Sequence, residues 1–243
     1  MPVAHFYSRS LFGVLGFDVP KQLVHLGEFV GSRSPNILDA NARFYLVHCE
    51  NIATRLADVC YFQLSIEGLL AAKDHKYKLS LLVRTNLVAY LGAVKSYLDA
   101  IATCIDAIYG LALKRMNLDL CRDQLHVKLG EIDPEASANY AAHSEFYNRV
   151  GLWRNAALHE VSPLVMECGP SWARPGSPAY GQYGDHSEVR MVNIPGFSPG
   201  DMASAPATAI WVKPNSFFAA WNQSIDQLLT LICNDIMKHC PAA

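Results

Sequence analysis

The sequence predicts a mainly α-helical protein, an up-and-down helical bundle with a small β-hairpin insertion before the last helix. Three observations predict it. Apolar residues recur at alternating spacings of four and three over several long stretches, which is the mark of one buried stripe per helix. One helix start is spelled out as Asp133 at the cap, Pro134 at the first helical position and Glu135 in the first turn. Strict alternation, the strand signal, is clear only in EVRMVNI (188–194) and ATAIWVK (207–213), inside a stretch rich in Gly and Pro.

Residues 1–36 mix aromatics with Gly13, Gly16, Pro20, Gly27, Gly31 and Pro35, too apolar for a disordered tail and too broken for a long helix, and form an unassigned N-terminal arm. Residues 37–243 form the helical domain, with residues 163–215 as its insertion. The first core helix starts at Leu38 and buries Leu38, Ala42, Tyr45, Cys49, Ile52, Leu56 and Val59. Residues 61–67 alternate and read either as a short strand or as that helix continuing. Leu87, Leu91, Val94, Leu98, Ile101, Ile105 and Ile108 predict a long central helix ending near Gly110. Leu118, Cys121, Leu125 and Leu129 predict a shorter one closed by Gly130. The helix capped by Asp133 is expected to run to about Ser162, where Pro163 stops it. The last helix, capped by Asn215 or Ser216, carries Phe218, Trp221, Ile225, Leu228, Leu229, Ile232 and Ile236 on one side.

Composition bounds the function. Of 243 residues, 51% are hydrophobic, enough to bury a sizeable core without disulfides or metals. Twenty Lys and Arg against 22 Asp and Glu leave a formal charge of -2, so no global field steers the protein to nucleic acid and any phosphate site is local. The seven cysteines, Cys49, Cys60, Cys104, Cys121, Cys168, Cys233 and Cys240, lack C-x-x-C pairs and zinc spacing and read as small core residues in a reducing cytosol. Neither a leader peptide nor an uncharged apolar run of about 18 residues is evident, so the expectation is a cytoplasmic protein with no membrane partner. P-loop, dinucleotide and G-x-S-x-G signatures do not occur, which argues against the common nucleotide and hydrolase classes. No metal or cofactor is expected.

Chemistry concentrates on the helix after Pro134. Phe146, Val150, Trp153, Ala157, Val161 and Leu164 fall on its core face, although Leu164 lies past the expected end. At about 100° per residue, Asn148, Asn155 and His159 then point about 160–180° away. Asn155 and His159 stack four apart, and Arg154 sits at the helix edge, from which its long side chain reaches over. Leu152 and Leu158 flank this polar group, so a second helix or subunit is expected to pack there.

The run R-N-A-A-L-H (154–159), late in a helix of a helical chain, resembles the motif of HEPN domains: Arg, then a polar residue, then His after four to six intervening residues. The resemblance covers residues 38–165 and the final helix. It implies a helical bundle that forms a homodimer with two motifs face to face. It further implies metal-independent cleavage of RNA to 2′,3′-cyclic phosphate and 5′-hydroxyl ends, in a defence or toxin–antitoxin setting with an antitoxin or other protein partner. By that analogy His159 is general acid or base, Arg154 holds the scissile phosphate and Asn155 orients one of them. Family members often carry an acid on a neighbouring helix near the motif, for which Asp99 is the candidate, in the small and polar stripe Gly92, Ser96, Asp99, Thr103 and Asp106 of the central helix; the same stripe also reads as a close helix crossing at Gly92 and Ser96 with solvated aspartates. The competing reading is a non-catalytic module of the same type that binds a nucleotide or a protein.

Other clusters carry weaker signals. Lys73, His75, Lys76, Lys78 and Arg84 form a basic stretch that suits phosphates or simply a solvated loop. Cys121 with His126, or His239 with Cys240, would need distant partners to hold a metal. Trp172, Tyr180 and Tyr183 in the insertion suit base stacking or cover of the bundle edge.

Overall fold

A computed structural model describes residues 12–33, 40–71, 76–159, 164–168, 188–193, 210–212 and 214–239. The chain is mainly α-helical, with bundle character. In order it forms α1 (Lys21–Arg33), α2 (Ala40–Ala71), α3 (Lys76–Tyr109), a 3₁₀ turn (Arg115–Asn117), α4 (Asp123–Ile132), α5 (Pro134–Ala141) and α6 (Ser144–His159). Three strands follow, β1 (Leu164–Cys168), β2 (Glu188–Asn193) and β3 (Ile210–Val212), before α7 (Pro214–His239). Two compact units share these elements: residues 1–61, 93–149 and 223–243 form the first, and residues 62–92 and 150–222 the second.

In the first unit most of the expected stripes are buried: Cys49, Ile52, Leu56 and Val59 of α2, Val94, Leu98, Ile101 and Ile105 of α3, and Ile225, Leu228, Leu229, Ile232 and Ile236 of α7, whereas Ile108 is half-buried, and Leu38 and the side chains of Ala42 and Tyr45 lie outside the described residues. Removing that apolar surface from water, at about 25 cal/mol per Å², is the main force holding the helices together. The arm contributes α1, a helix the sequence left unassigned. Its Leu23 and Leu26 are buried, and Gln22 Nε2 donates to Asp226 Oδ1 at 2.8 Å and to Thr230 Oγ1 at 3.1 Å on α7. One ion pair and one hydrogen bond tie the end of α7 to α5 and its cap: Lys238 Nζ meets Asp133 Oδ2 at 2.8 Å, and the Tyr140 hydroxyl donates to Asp235 Oδ2 at 2.8 Å.

Residues 61–67, for which the sequence left both a strand and a continuing helix open, continue α2: Ile66 is buried, and Gln63 Nε2 bonds Glu67 Oε1 one turn on at 2.8 Å. Four boundaries differ from the sequence expectation, each for a local reason. The helix expected from Leu118 begins only at Asp123, because Asp119 Oδ1 accepts the Cys121 backbone N–H and holds a turn there. Gly130 lies inside α4 instead of ending it, and the stop is Asp133, whose N–H bonds the Leu129 carbonyl while its side chain caps α5 through Ala136 N.

The long helix expected over 133–162 is two helices, broken at Ala142 and His143. The Tyr140 carbonyl accepts from His143 N at 3.1 Å and from the Tyr147 hydroxyl at 3.0 Å, so a side chain enters the ladder where it breaks. The long central helix does end at Gly110, which adopts φ +64. α7 begins at Pro214, one or two residues before the expected caps, with the proline in the first helical position.

The second unit holds Ile66 of α2, Val83, Leu87, Tyr90 and Leu91 of α3, Val150, Trp153 and Ala157 of α6, and the start of α7. Its three strands form one antiparallel sheet in the order β1-β2-β3, with Leu164 opposite Val192 and Met191 opposite Val212. β1 has no counterpart in the sequence reading, which placed Leu164 on a helix face. The rest of the 163–215 insertion, with Trp172, Tyr180 and Tyr183, lies outside the described residues.

The segment Leu81–Tyr109 of α3 is long and apolar enough to cross a membrane, with a mean hydropathy of 1.3; 61% of its most apolar window is buried inside the protein.

Candidate functional site

α6 carries its apolar residues on one side because Val150, Trp153 and Ala157 recur three and four apart. All three are buried, and the Trp153 ring lies 4.9 Å from the Phe217 ring and 6.5 Å, edge-on, from the Trp221 ring. Phe217 and Trp221 are themselves 4.4 Å apart, and Tyr90 of α3 meets Phe218 at 5.2 Å and Trp221 at 5.9 Å. This cluster of rings is the packing against which the outer side of α6 is set.

On that outer side Asn148 and Asn155 are exposed, Arg154 is partly exposed, and Arg154 Nη1 donates to Asn155 Oδ1 at 3.3 Å. Leu152 and Leu158, on either side of this polar pair, are 44% and 48% exposed. His159 is the last residue of α6, four positions after Asn155; its side chain lies outside the described residues. Glu145, one conceivable partner for Arg154, is paired instead with Arg149, one turn from it on the same helix.

The arrangement offers a guanidinium whose other N–H groups can meet an anion, beside an amide that steadies it. That pairing suits a phosphate oxygen, since a planar guanidinium presents two parallel donors.

Asp99 belongs to the first unit, whereas Arg154, Asn155 and His159 belong to the second. Asp99 forms a short ion pair with Lys95, which also reaches Asp119 Oδ1 at 3.2 Å. Burial alone would lower the Lys95 ammonium, but the two carboxylates outweigh it and hold its pKa above the ordinary value. Asp119 is partly buried, yet the Cys121 N–H and Lys95 keep its carboxyl below the usual range. Of the same stripe, Thr103 Oγ1 donates to the Asp99 carbonyl at 2.8 Å, and Asp106 Oδ1 accepts the Leu113 N–H at 2.9 Å beyond Gly110.

The remaining candidates are placed as follows. Cys121 Sγ lies 3.5 Å from the Tyr147 carbonyl, His126 Nε2 is 2.8 Å from the Leu120 carbonyl, and the His239 ring packs edge-on against Tyr109. Among the described residues, no three His, Cys, Asp or Glu side chains stand close enough to hold a metal ion. Arg84 is partly exposed; Lys73 and His75 lie outside the described residues, as do the side chains of Lys76 and Lys78 and all of Cys240.

Cys49, Cys60, Cys104, Cys121 and Cys233 occupy buried or half-buried places. Burial pushes Cys60 up to about 11, burial and the Asp119 charge push Cys121 up to about 11, and burial pushes Cys233 up to about 12. The Cys104 thiol is raised further still.

What the sequence did not reveal is the seat of Trp153. Phe217 follows a segment of about fifty residues, and no periodicity links it to α6. Set against known protein families, curated proteins and solved structures, the chain matches none.

Proposed function

We propose that this protein is a metal-independent endoribonuclease of the HEPN type, acting in the cytoplasm as a homodimer with RNA held between two copies of the 154–159 motif. The observation that carries the proposal is the pairing of Arg154 with Asn155 on the outer side of a helix whose inner side is filled by Trp153, with His159 ending the same helix. His159 takes the proton from a ribose 2′-hydroxyl as that oxygen attacks phosphorus. The P–O5′ bond then breaks, a proton passes to the leaving oxygen, and the ends are a 2′,3′-cyclic phosphate and a 5′-hydroxyl. Arg154 meets the non-bridging oxygens, where charge accumulates, and Asn155 keeps its guanidinium in place. Asp99 is proposed only as a supporting acid. A defence or toxin–antitoxin role would supply a protein partner for the same surface.

The exposed Leu152 and Leu158 favour a second reading, in which this face binds a nucleotide or protein without catalysis. Cleavage of a mixed RNA pool in EDTA by wild type and by His159→Ala, purified in parallel, separates the two. The enzyme reading expects cyclic phosphate ends from wild type and a loss of about 10²- to 10⁴-fold in the variant. Equal activity in both marks a contaminant, and none in either supports the binding module.

A further inference from the structure

We infer that Phe217, in the first turn of α7, is a positioning residue for Arg154 and Asn155, acting through the Trp153 ring; the catalytic part of this inference rests on the ribonuclease reading. Among its described residues in the second unit, α6 buries Val150, Trp153 and Ala157. Val150 and Ala157 are small, so most of the contact that fixes the rotation of these last turns belongs to the indole. Among the described residues its nearest aromatic partner is Phe217, at 4.9 Å and tilted by 42°, and Phe217 lies 4.4 Å from Trp221. Because each residue turns a helix by about 100°, the angle at which Trp153 sits sets the angle at which Arg154 and Asn155 leave the surface.

Among the described residues Arg154 is held by one long hydrogen bond, to its neighbour Asn155 at 3.3 Å. Its aim is therefore inherited from the helix beneath it. Phe217 stands in the first turn of α7, so its contact with Trp153 joins the last turns of α6 to the start of α7.

Placement matters steeply in a phosphoryl site, where a shift of about 1 Å costs about 10²-fold in rate. Phe217→Leu keeps the site apolar but removes the ring face that meets Trp153. It is expected to lower kcat on RNA about 10- to 100-fold with KM nearly unchanged. In an Arg154→Ala background the same change is expected to cost less than about twofold, since the group it positions is gone. An equal loss in both backgrounds would mean a general packing role and would overturn the inference.

The side-chain ¹⁵N signals of Arg154 and Asn155 test positioning without activity. Phe217→Leu should shift or broaden them and leave the Asn148 amide in place; unmoved Arg154 and Asn155 signals overturn the inference even in an active enzyme. Should wild type fail to cleave RNA, the ribonuclease reading falls and these signals alone decide. If Phe217→Leu does not fold, Trp153→Phe, which keeps a ring in the seat but shortens its reach to Phe217, takes its place in every arm.

Discussion

Charged side chains on α6 differ in what satisfies them. Glu145 and Arg149 pair across one turn, an exposed pair worth only about a few tenths of a kcal/mol, while the Arg154 charge leans on the Asn155 amide. Arg154→Lys keeps that charge but loses the two-pronged geometry, so RNA cleavage should fall at least tenfold in kcat while the thermal midpoint stays put. Two aspartates near the end of α7 should respond to pH in opposite directions. Burial raises the Asp235 carboxyl despite the Tyr140 hydrogen bond, so its contribution to stability is full below the ordinary carboxylate range and is lost as pH rises through the raised value. Asp235→Asn should therefore raise the midpoint most at neutral pH, with the gap to wild type closing on acidification. Asp133 is held low by the Ala136 N–H and Lys238, so its contribution is present at neutral pH and lost as pH falls through the depressed value. Asp133→Ala should cost about 1 kcal/mol in denaturant melts at neutral pH and progressively less in acid. The cap of Asp133 was legible from Asp-Pro-Glu alone; the burial of Asp235 was not, because its partner Tyr140 lies 95 positions away.

Helices were legible where their stripes were long. α3 and α7 carry six or seven correctly spaced apolar residues, and no competing pattern interrupts them. Reading failed where a single side chain decides a boundary, as the Tyr147 hydroxyl does at the α5–α6 break and Asp119 does before α4. Two glycines make the point. Both Gly110 and Gly130 look like helix stops in the sequence, but only Gly110 has a positive φ. A β-carbon at Gly130 would merely touch Ser137 Oγ at 3.4 Å. Gly110→Ala is expected to destabilise by about 1 kcal/mol and Gly130→Ala to stabilise by about 0.5–1 kcal/mol, measured by chemical denaturation. If both substitutions destabilise equally, the assignment of Gly130 to the interior of α4 is wrong.

The molecule as a whole buries its long apolar stripes yet leaves Leu152 and Leu158 in the open beside Arg154 and Asn155. If two copies meet there, Leu152→Glu should convert a dimer to a monomer in light scattering and abolish cleavage together with it; a monomeric wild type, or a dimer indifferent to the change, would remove the shared-cleft arrangement. The outward cluster itself was legible, because helical periodicity fixes which residues oppose a core face. Its support was not, since the strands and the rest of the insertion separate Trp153 from Phe217.

The five described thiols also make the protein its own clock. A thiol whose pKa lies near 11 or 12 is almost wholly protonated at neutral pH, and the described sulfurs are buried or half-buried, so a disulfide reagent must wait for the structure around each one to open. With Cys168 and Cys240 replaced by serine, the order in which Cys60 on α2, Cys121 before α4 and Cys233 on α7 react would rank the local opening free energies of those three elements in a single time course, with no label added beforehand.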